Sequence, residues 1–231
     1  MDQKMPFFCI SFPEPEKIAA GMVLRNLTLA AKNPAPLYVA AMTIPSLVDF
    51  LASLADPSSE LLAELNTLIR QEFYHNHQVF QGAGQVENRL WYLPQGLVRA
   101  YYFDVSGKEH TLHFFLGGEV IFSWQGVFQE PADYYLEALE PTHLVAINYT
   151  TVESLRTRFP EFKVMANTIV RRRLLQDHFY SRLMTWSAEE RYRQFRKVNP
   201  VIFQRVSVRL IATYLNMTRE NLSKLISHDH R

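Results

Sequence analysis

Near the end of the sequence, Arg219, Glu220, Asn221, Ser223 and Lys224 fall within six positions. All five side chains are polar, and three carry chemistry that reads a DNA base edge. An arginine pairs with guanine, a glutamate accepts from cytosine, and a lysine reaches guanine or phosphate. Such a set works only if one helix holds it outward. Leu222 and Leu225 are three positions apart and would turn inward, leaving the polar residues exposed. Thr218 is placed to cap that helix.

The segment before it predicts how the helix is held. Ile211, Ala212 and Leu215 have the spacing of the inward face of a preceding helix. Asn216 then stands where a sharp turn needs positive φ, which glycine adopts best and asparagine next best. Met217 is an apolar plug after the turn, and the small Ala212 leaves room for two helices to cross steeply. This is the pattern of a helix-turn-helix. The competing reading is an ordinary helical hairpin with a solvated charged face. Spacing, the Asn216 turn and local charge together favour DNA binding through Thr218, Arg219, Glu220, Asn221, Ser223 and Lys224.

Other residues could in principle do catalysis. His110, His113 and Glu119 lie close in sequence, with His75 and His77 upstream. On a regular strand, positions three apart face opposite ways, so His110 and His113 should not share a metal. His75 and His77 have a better spacing, but no carboxylate follows nearby. There is no glycine-rich phosphate loop, nucleophile elbow or paired-carboxylate motif. The expectation is a protein that is not an enzyme, with no catalytic residues and no metal.

Charge is divided unevenly along the chain. Residues 1–150 hold 8 Lys or Arg against 16 Asp or Glu, and residues 151–231 hold 16 against 7. A basic third behind an acidic part fits a nucleic-acid module attached to a separate sensor. The single cysteine, Cys9, excludes an internal disulfide and a four-cysteine cluster. No secretory leader is visible, and Pro45 and Asp49 interrupt the longest apolar stretch, Leu37 to Leu54. A reducing, cytoplasmic location without membrane contact is the expectation.

The elements that must position the polar helix can be read in order. Residues 1–45 are proline-punctuated and aperiodic, a poorly defined extension. Leu47, Phe50, Leu51 and Leu54 share a helical face, and Pro57 ends it. Ser58 caps a second helix with a Leu61, Leu62, Leu65, Leu68 and Ile69 stripe. Residues 73–148 read as short strands holding seven of the eight glycines, with a hairpin turn at Asp104 to Lys108. That punctuation suggests a roll or jelly roll, with Tyr101, Phe103, Phe115, Phe122, Trp124 and Tyr135 as its core or, for some of them, as the lining of a small apolar effector pocket. Thr150 to Glu153 fits a capping box, Pro160 a helix first turn, and Ser187 to Glu190 a second capping box. From Glu161 to Met184 there is no Gly or Pro. Phe162, Ala166, Val170 and Leu174 make one ladder; Leu175, Phe179 and Leu183 make a second. Two stripes allow packing on the roll and on a partner helix. The Arg171, Arg172 and Arg173 run reads as solvated or paired with acidic roll residues. The predicted class is α+β: an antiparallel, jelly-roll-like β-roll flanked by helices, a long dimerisation helix and an all-α helix-turn-helix domain. The divisions fall at residues 46–158, 159–185 and 186–231.

With Gly118-Glu119-Val120, Phe159-Pro160-Glu161 and Thr218-Arg219-Glu220-Asn221-Leu222-Ser223-Lys224 on the page, the chain resembles the Crp/Fnr family of transcription regulators over about residues 46–226. The resemblance implies a cyclic-nucleotide-binding-type roll, a homodimer through the long helix and a palindromic DNA site. It implies base contacts at Arg219, Glu220 and Lys224. It also implies an effector pocket, which would draw on Gly118, Glu119, Val120, Ala132, Asp133, Arg173, Asp177 and His178. Three departures matter. The Arg-Ser or Arg-Thr step that holds a cyclic phosphate in the family is Pro131-Ala132-Asp133-Tyr134 here. The hydroxyl pair that contacts adenine looks replaced by Asp177-His178. The sequence runs only a few residues past Leu225, so the β-hairpin wing of many relatives is expected to be missing. The expectation is therefore a dimeric regulator that binds double-stranded DNA, without cofactor and without tight cyclic AMP binding. An unidentified small effector and RNA polymerase are further candidate partners. The rival is a sensor module that has lost DNA binding and acts through protein contacts.

Overall fold

A computed structural model describes residues 47–229. The expected extension, residues 1–45, lies outside the described residues. A short helical segment at 47–52 is followed by α1 (Ser59–Leu68). The Ser58 hydroxyl accepts from the Leu61 amide at 3.2 Å, which is the expected cap. Of the predicted stripe only Leu61 and Leu65 are buried, and Leu68 is exposed. Leu61 and Leu65, one turn apart, face a core shared with Tyr92, Val145 and Leu155, with Ile69 partly buried against it.

Eight strands follow. They are β1 (Arg70–Tyr74), β2 (Gln78–Gln81), β3 (Arg89–Gln95), β4 (Leu97–Phe103), β5 (Glu109–Leu116), β6 (Glu119–Ile121), β7 (Tyr135–Ala138) and β8 (Thr142–Asn148). They form two four-stranded antiparallel sheets, in the orders β1-β8-β3-β6 and β2-β7-β4-β5. Trp91, Leu93, Val98, Ala100, Phe115, Ile121, Leu136, Leu144 and Ala146 fill the space between them. Alternation along each strand sends these side chains inward and leaves the other face for helices. The expected turn at Asp104 to Lys108 is present. Asp104 Oδ1 accepts from the amides of Ser106 at 2.9 Å and Lys108 at 3.1 Å, and Gly107 takes φ 78°.

Two expectations about the roll are corrected. Among the six aromatics expected in its core only Phe115 is deeply buried; Phe103 and Trp124 are exposed. Tyr101, Phe103 and Tyr135 instead cluster on the outer face of the second sheet, with Tyr101 and Tyr135 stacked at 5.1 Å. Trp124 belongs to a helix absent from the expectation, α2 (Trp124–Phe128). His110 and His113 do not face opposite ways. Ala100 pairs with His113 and Tyr101 with Thr111, so a bulge absorbs Leu112. His110, opposite Tyr102, and His113, opposite Ala100, therefore share the inner side. They still hold different partners: His110 Nε2 lies 2.9 Å from Asp104, and His113 Nε2 lies 4.0 Å from Glu119. Among the described residues no group of three or more His, Cys, Asp or Glu could hold a metal ion.

After β8 come α3 (Tyr149–Arg158) and α4 (Pro160–Met184). The helix α3 starts at Tyr149, with Asn148 as cap, so the expected box at Thr150 is not formed. Glu153 is turned instead to Arg156 at 3.0 Å. Pro160 occupies the first turn of α4 as expected. That helix has 25 residues, about 37 Å. Phe162 and Met165 anchor its start in a core with Leu61, Leu65, Tyr92, Leu155 and Phe159. Leu183 anchors its end in the core of the last domain. Val164 and Leu174 are exposed, and with Leu174 the first of the two ladders is left partly uncovered within this chain. Among the described residues no helix is long and apolar enough to cross a membrane.

Gly96, between β3 and β4, takes φ 130°, and a Cβ there would stand 2.8 Å from Thr142 Oγ1 and 2.9 Å from Thr142 Cγ2. Gly96→Ala meets both a forbidden conformation and a clash with a fully buried side chain. It should lower stability by about 2 kcal/mol or more in urea unfolding.

Candidate nucleic-acid interface

The last four helices build the candidate site: α5 (Ala188–Val198), α6 (Pro200–Arg205), α7 (Val208–Tyr214) and α8 (Arg219–Asp229). Ser187 caps α5 by accepting from the Glu190 amide, as expected. Ser207 caps α7 in the same way through Leu210. Ile211, Ala212, Leu215 and Leu222 are all essentially inaccessible, and Leu225 is half-buried. The expected inward face is therefore the observed one. Leu210 and Tyr214, which the spacing did not single out, are buried beside them.

The turn is made as its residues require. Asn216 has φ 48°, in the left-handed region. The Met217 amide donates to the Ala212 carbonyl at 3.1 Å, closing the end of α7. Arg191 reaches over from α5 and donates to the Trp186 carbonyl at 3.1 Å and the Asn216 carbonyl at 3.4 Å. Thr218 then caps α8: its hydroxyl accepts from the Asn221 amide at 3.2 Å. At the other end Asp229 accepts from Arg196 of α5 at 3.0 Å. The second helix is thus fixed at both termini and along its buried Leu222.

The polar face lies where the sequence put it. Thr218, Arg219, Glu220, Asn221 and Lys224 are exposed, and Ser223 is half-buried. Glu220 and Lys224 are one turn apart on a single row. Beyond them Ser223, Lys224, Ser227 and His228 line a shallow depression of about 310 Å³ on the same helix. Ser227 and His228 were not among the expected contacts; the row continuing from Glu220 through Lys224 to His228 was the available signal.

The basic surplus of this domain is not all free for a ligand. Arg205 Nη2 donates to the Gly96 carbonyl at 3.0 Å and pairs with Glu140 of the roll. Arg209 pairs with Glu109 at 3.2 Å, and Thr213 Oγ1 lies 2.6 Å from Thr111 Oγ1. Leu97 and Phe114 of the roll belong to the same core as Leu210, Tyr214 and Leu222. Among the described residues the roll and the last four helices are therefore joined by a packed interface and not only by the long helix.

The residues expected to line an effector pocket are only partly brought together. Glu119 Oε2 accepts from the Leu116 amide at 2.6 Å, and Glu119 Oε1 from Gln176 of α4 at 3.0 Å. Arg173 donates to Asp177 at 3.0 Å and lies over Phe115, 5.4 Å from the ring centre. The His113 ring lies tilted against the same ring, with centroids 4.4 Å apart. Burial pushes the His113 imidazole below its usual range. Burial opposes ionisation of Glu119, but His113, the Leu116 amide and Gln176 outweigh it and hold the carboxyl low. The other expected members are elsewhere. Val120 points to the opposite face of β6 and packs beside Leu47 and Tyr92. Asp133 is exposed and accepts from Gln125 at 2.9 Å. His178 is exposed on α4. Ala132 is buried, with its amide donating to Gln85, and Gly118 closes a turn to the Leu93 carbonyl at 2.7 Å. Alternation along the strand and the helical pitch separate residues that are neighbours in sequence.

Asn216→Val should destabilise the protein by about 1–2 kcal/mol, because a β-branched residue resists positive φ, while Asn216→Gly should cost far less. Denaturant unfolding of both variants checks this.

Residues 71–159 match the cyclic nucleotide-binding domain. The chain is 22% identical to the anaerobic regulatory protein of Haemophilus influenzae, over 70% of this chain and 67% of that protein. FixK2 from Bradyrhizobium japonicum is similar in structure: TM-score 0.61 at 19% identity, covering 71% of this chain and 85% of that one. A structure from Eubacterium rectale, described as a Crp/Fnr-family transcriptional regulator, gives TM-score 0.63 at 14% identity, covering 78% and 87%. The regulator CLP of Xanthomonas campestris, described as responsive to c-di-GMP, gives 0.59 at 17%, covering 73% and 90%. The chain therefore carries a cyclic nucleotide-binding domain at residues 71–159, and its fold is similar to that of these solved regulators.

Proposed function

We propose that this protein is a sequence-specific DNA-binding regulator that acts as a dimer on a palindromic site. One observation carries the reading. Arg219, Glu220, Asn221 and Lys224 are exposed on a helix whose buried Leu222, capping Thr218 and positive-φ Asn216 give it the helix-turn-helix geometry. In a dimer two such helices enter successive major grooves about 34 Å apart. Arg219 and Glu220 supply the choice of bases, at roughly 1–3 kcal/mol for each good contact. Lysines and arginines not held by the roll supply the salt-dependent affinity. The exposed Val164 and Leu174 on α4 support pairing of the long helices.

The roll does not take cyclic AMP tightly in this reading. No arginine stands in the 131–134 stretch, and the exposed Asp133 there would repel a phosphate. Both oxygens of Glu119, the residue that could hold a ribose hydroxyl, are already engaged by Leu116 and Gln176.

Selection of random duplex DNA by the purified protein, with no nucleotide added, should enrich a two-fold symmetric motif. Failure to enrich any motif, with and without cell extract, would count against the reading and favour action through protein contacts. Arg219→Ala should weaken binding to the selected site by about 1–3 kcal/mol while leaving non-specific binding nearly unchanged. Equal loss on both would show that Arg219 touches only phosphate. Titration calorimetry with cyclic AMP should show no micromolar binding, and a micromolar isotherm would overturn that part.

A further inference from the structure

The contact between the roll and the helix-turn-helix is chemically unlike the rest of the domain surface. Arg99 of β4 has only 2% of its side chain exposed, although it sits on the outer face of its sheet. Its guanidinium pairs with Glu109 at 2.6 Å and Glu137 at 3.4 Å, donates to Thr111 at 3.0 Å and lies over Tyr101 at 4.2 Å. Glu109 is shared: the same Oε1 takes Arg209 of α7 at 3.2 Å. Thr111 is shared as well, through its 2.6 Å contact with Thr213 of α7. Around this network Phe114 of β5 packs 5.5 Å from Tyr214, and Arg205 closes the edge on Glu140 and the Gly96 carbonyl. A buried arginine is tolerated only where its partners are fixed. Here two of those partners, Glu109 and Thr111, also bond α7.

We propose that the Arg99–Glu109–Arg209 network, with Thr111–Thr213 and Arg205–Glu140, is a clamp that sets the orientation of the recognition helix without any bound effector. The inference rests on the DNA-binding reading above and adds the means by which that reading is met. The helix α8 is tied to α7 by its buried Leu222 and to α5 by Asp229, so fixing α7 on β5 fixes α8. A domain hanging on the long helix alone would have to be ordered at each binding event. A clamped one has met that entropic cost on folding. The Glu119–Gln176 bond acts in the same sense, since it joins the roll to the long helix directly, where a ligand could otherwise do so.

The test uses substitutions in the roll, so that no charge in the DNA-binding domain changes. Glu140→Gln removes the carboxylate held by Arg205. Glu109→Gln with Glu140→Gln removes both carboxylates that hold α7 and α6. Each change makes the protein more basic, which by charge alone would strengthen DNA binding. The clamp predicts the opposite. The double variant should lose about ten-fold or more in affinity for the selected site, with Glu140→Gln intermediate. Hydrogen exchange of α7 amides should quicken in the same order, while the inward-facing core of the roll and the far-ultraviolet dichroism stay unchanged. Unchanged or tighter binding, with faster exchange, would overturn the proposal and make the contact autoinhibitory or idle. Unchanged exchange would show that no clamp exists. Wild-type protein that selects no DNA would fail the functional reading, and the exchange data would still decide whether the two parts are clamped.

Discussion

Strand β5 serves two cores at once, and most of the molecule is arranged around that fact. The pleat sends successive side chains to opposite faces. Phe115 therefore fills the roll, while its neighbour Phe114 enters the core of the helix-turn-helix. The bulge at Leu112 changes phase once, which brings His113 inward while Thr111 stays outward. Without that phase change Thr111 and Phe114, three apart, could not both meet α7. The roll and the helix-turn-helix share one element, so neither can shift without disturbing the packing of the other.

Charge follows the same arrangement. The acidic first part and basic last third are not simply two surfaces of opposite sign. Glu109 and Glu140 face Arg209 and Arg205 across the interface, so part of the asymmetry is internal pairing. These pairs are half-exposed and contribute little stability singly. Their value is geometric, because each joins an element of the roll to an element of the helical domain. What remains outward, Arg219 and Lys224 above all, is presented on a helix with its ends tied.

The polar groups around Glu119 and Arg173 join the roll to the long helix. Glu119 stabilises the β5–β6 turn through the Leu116 amide and reaches the long helix through Gln176. Arg173 is turned to Asp177 and covers Phe115. Both oxygens of the carboxylate are bonded by the protein's own groups, whereas Nη1 of the guanidinium is buried without a hydrogen-bond partner.

The sequence by itself determined the local decisions. Caps at Ser58, Ser187 and Thr218, the proline opening the long helix, the turn at Asp104 and the positive φ at Asn216 each depend on residues within one turn of the chain. The polar face of α8 was legible for the same reason: helical spacing makes Leu222 inward and Arg219, Glu220 and Lys224 outward wherever the helix is placed. Only the tertiary structure decided what needed distant partners. The bulge that realigned His110 and His113, the exposure of Phe103 and Trp124, the scatter of Val120, Asp133 and His178, and the burial of Arg99 all depend on which strand or helix lies opposite. Spacing along a chain fixes the face on which a side chain lies. What that face meets is set by packing between segments about a hundred residues apart, and no local pattern records it.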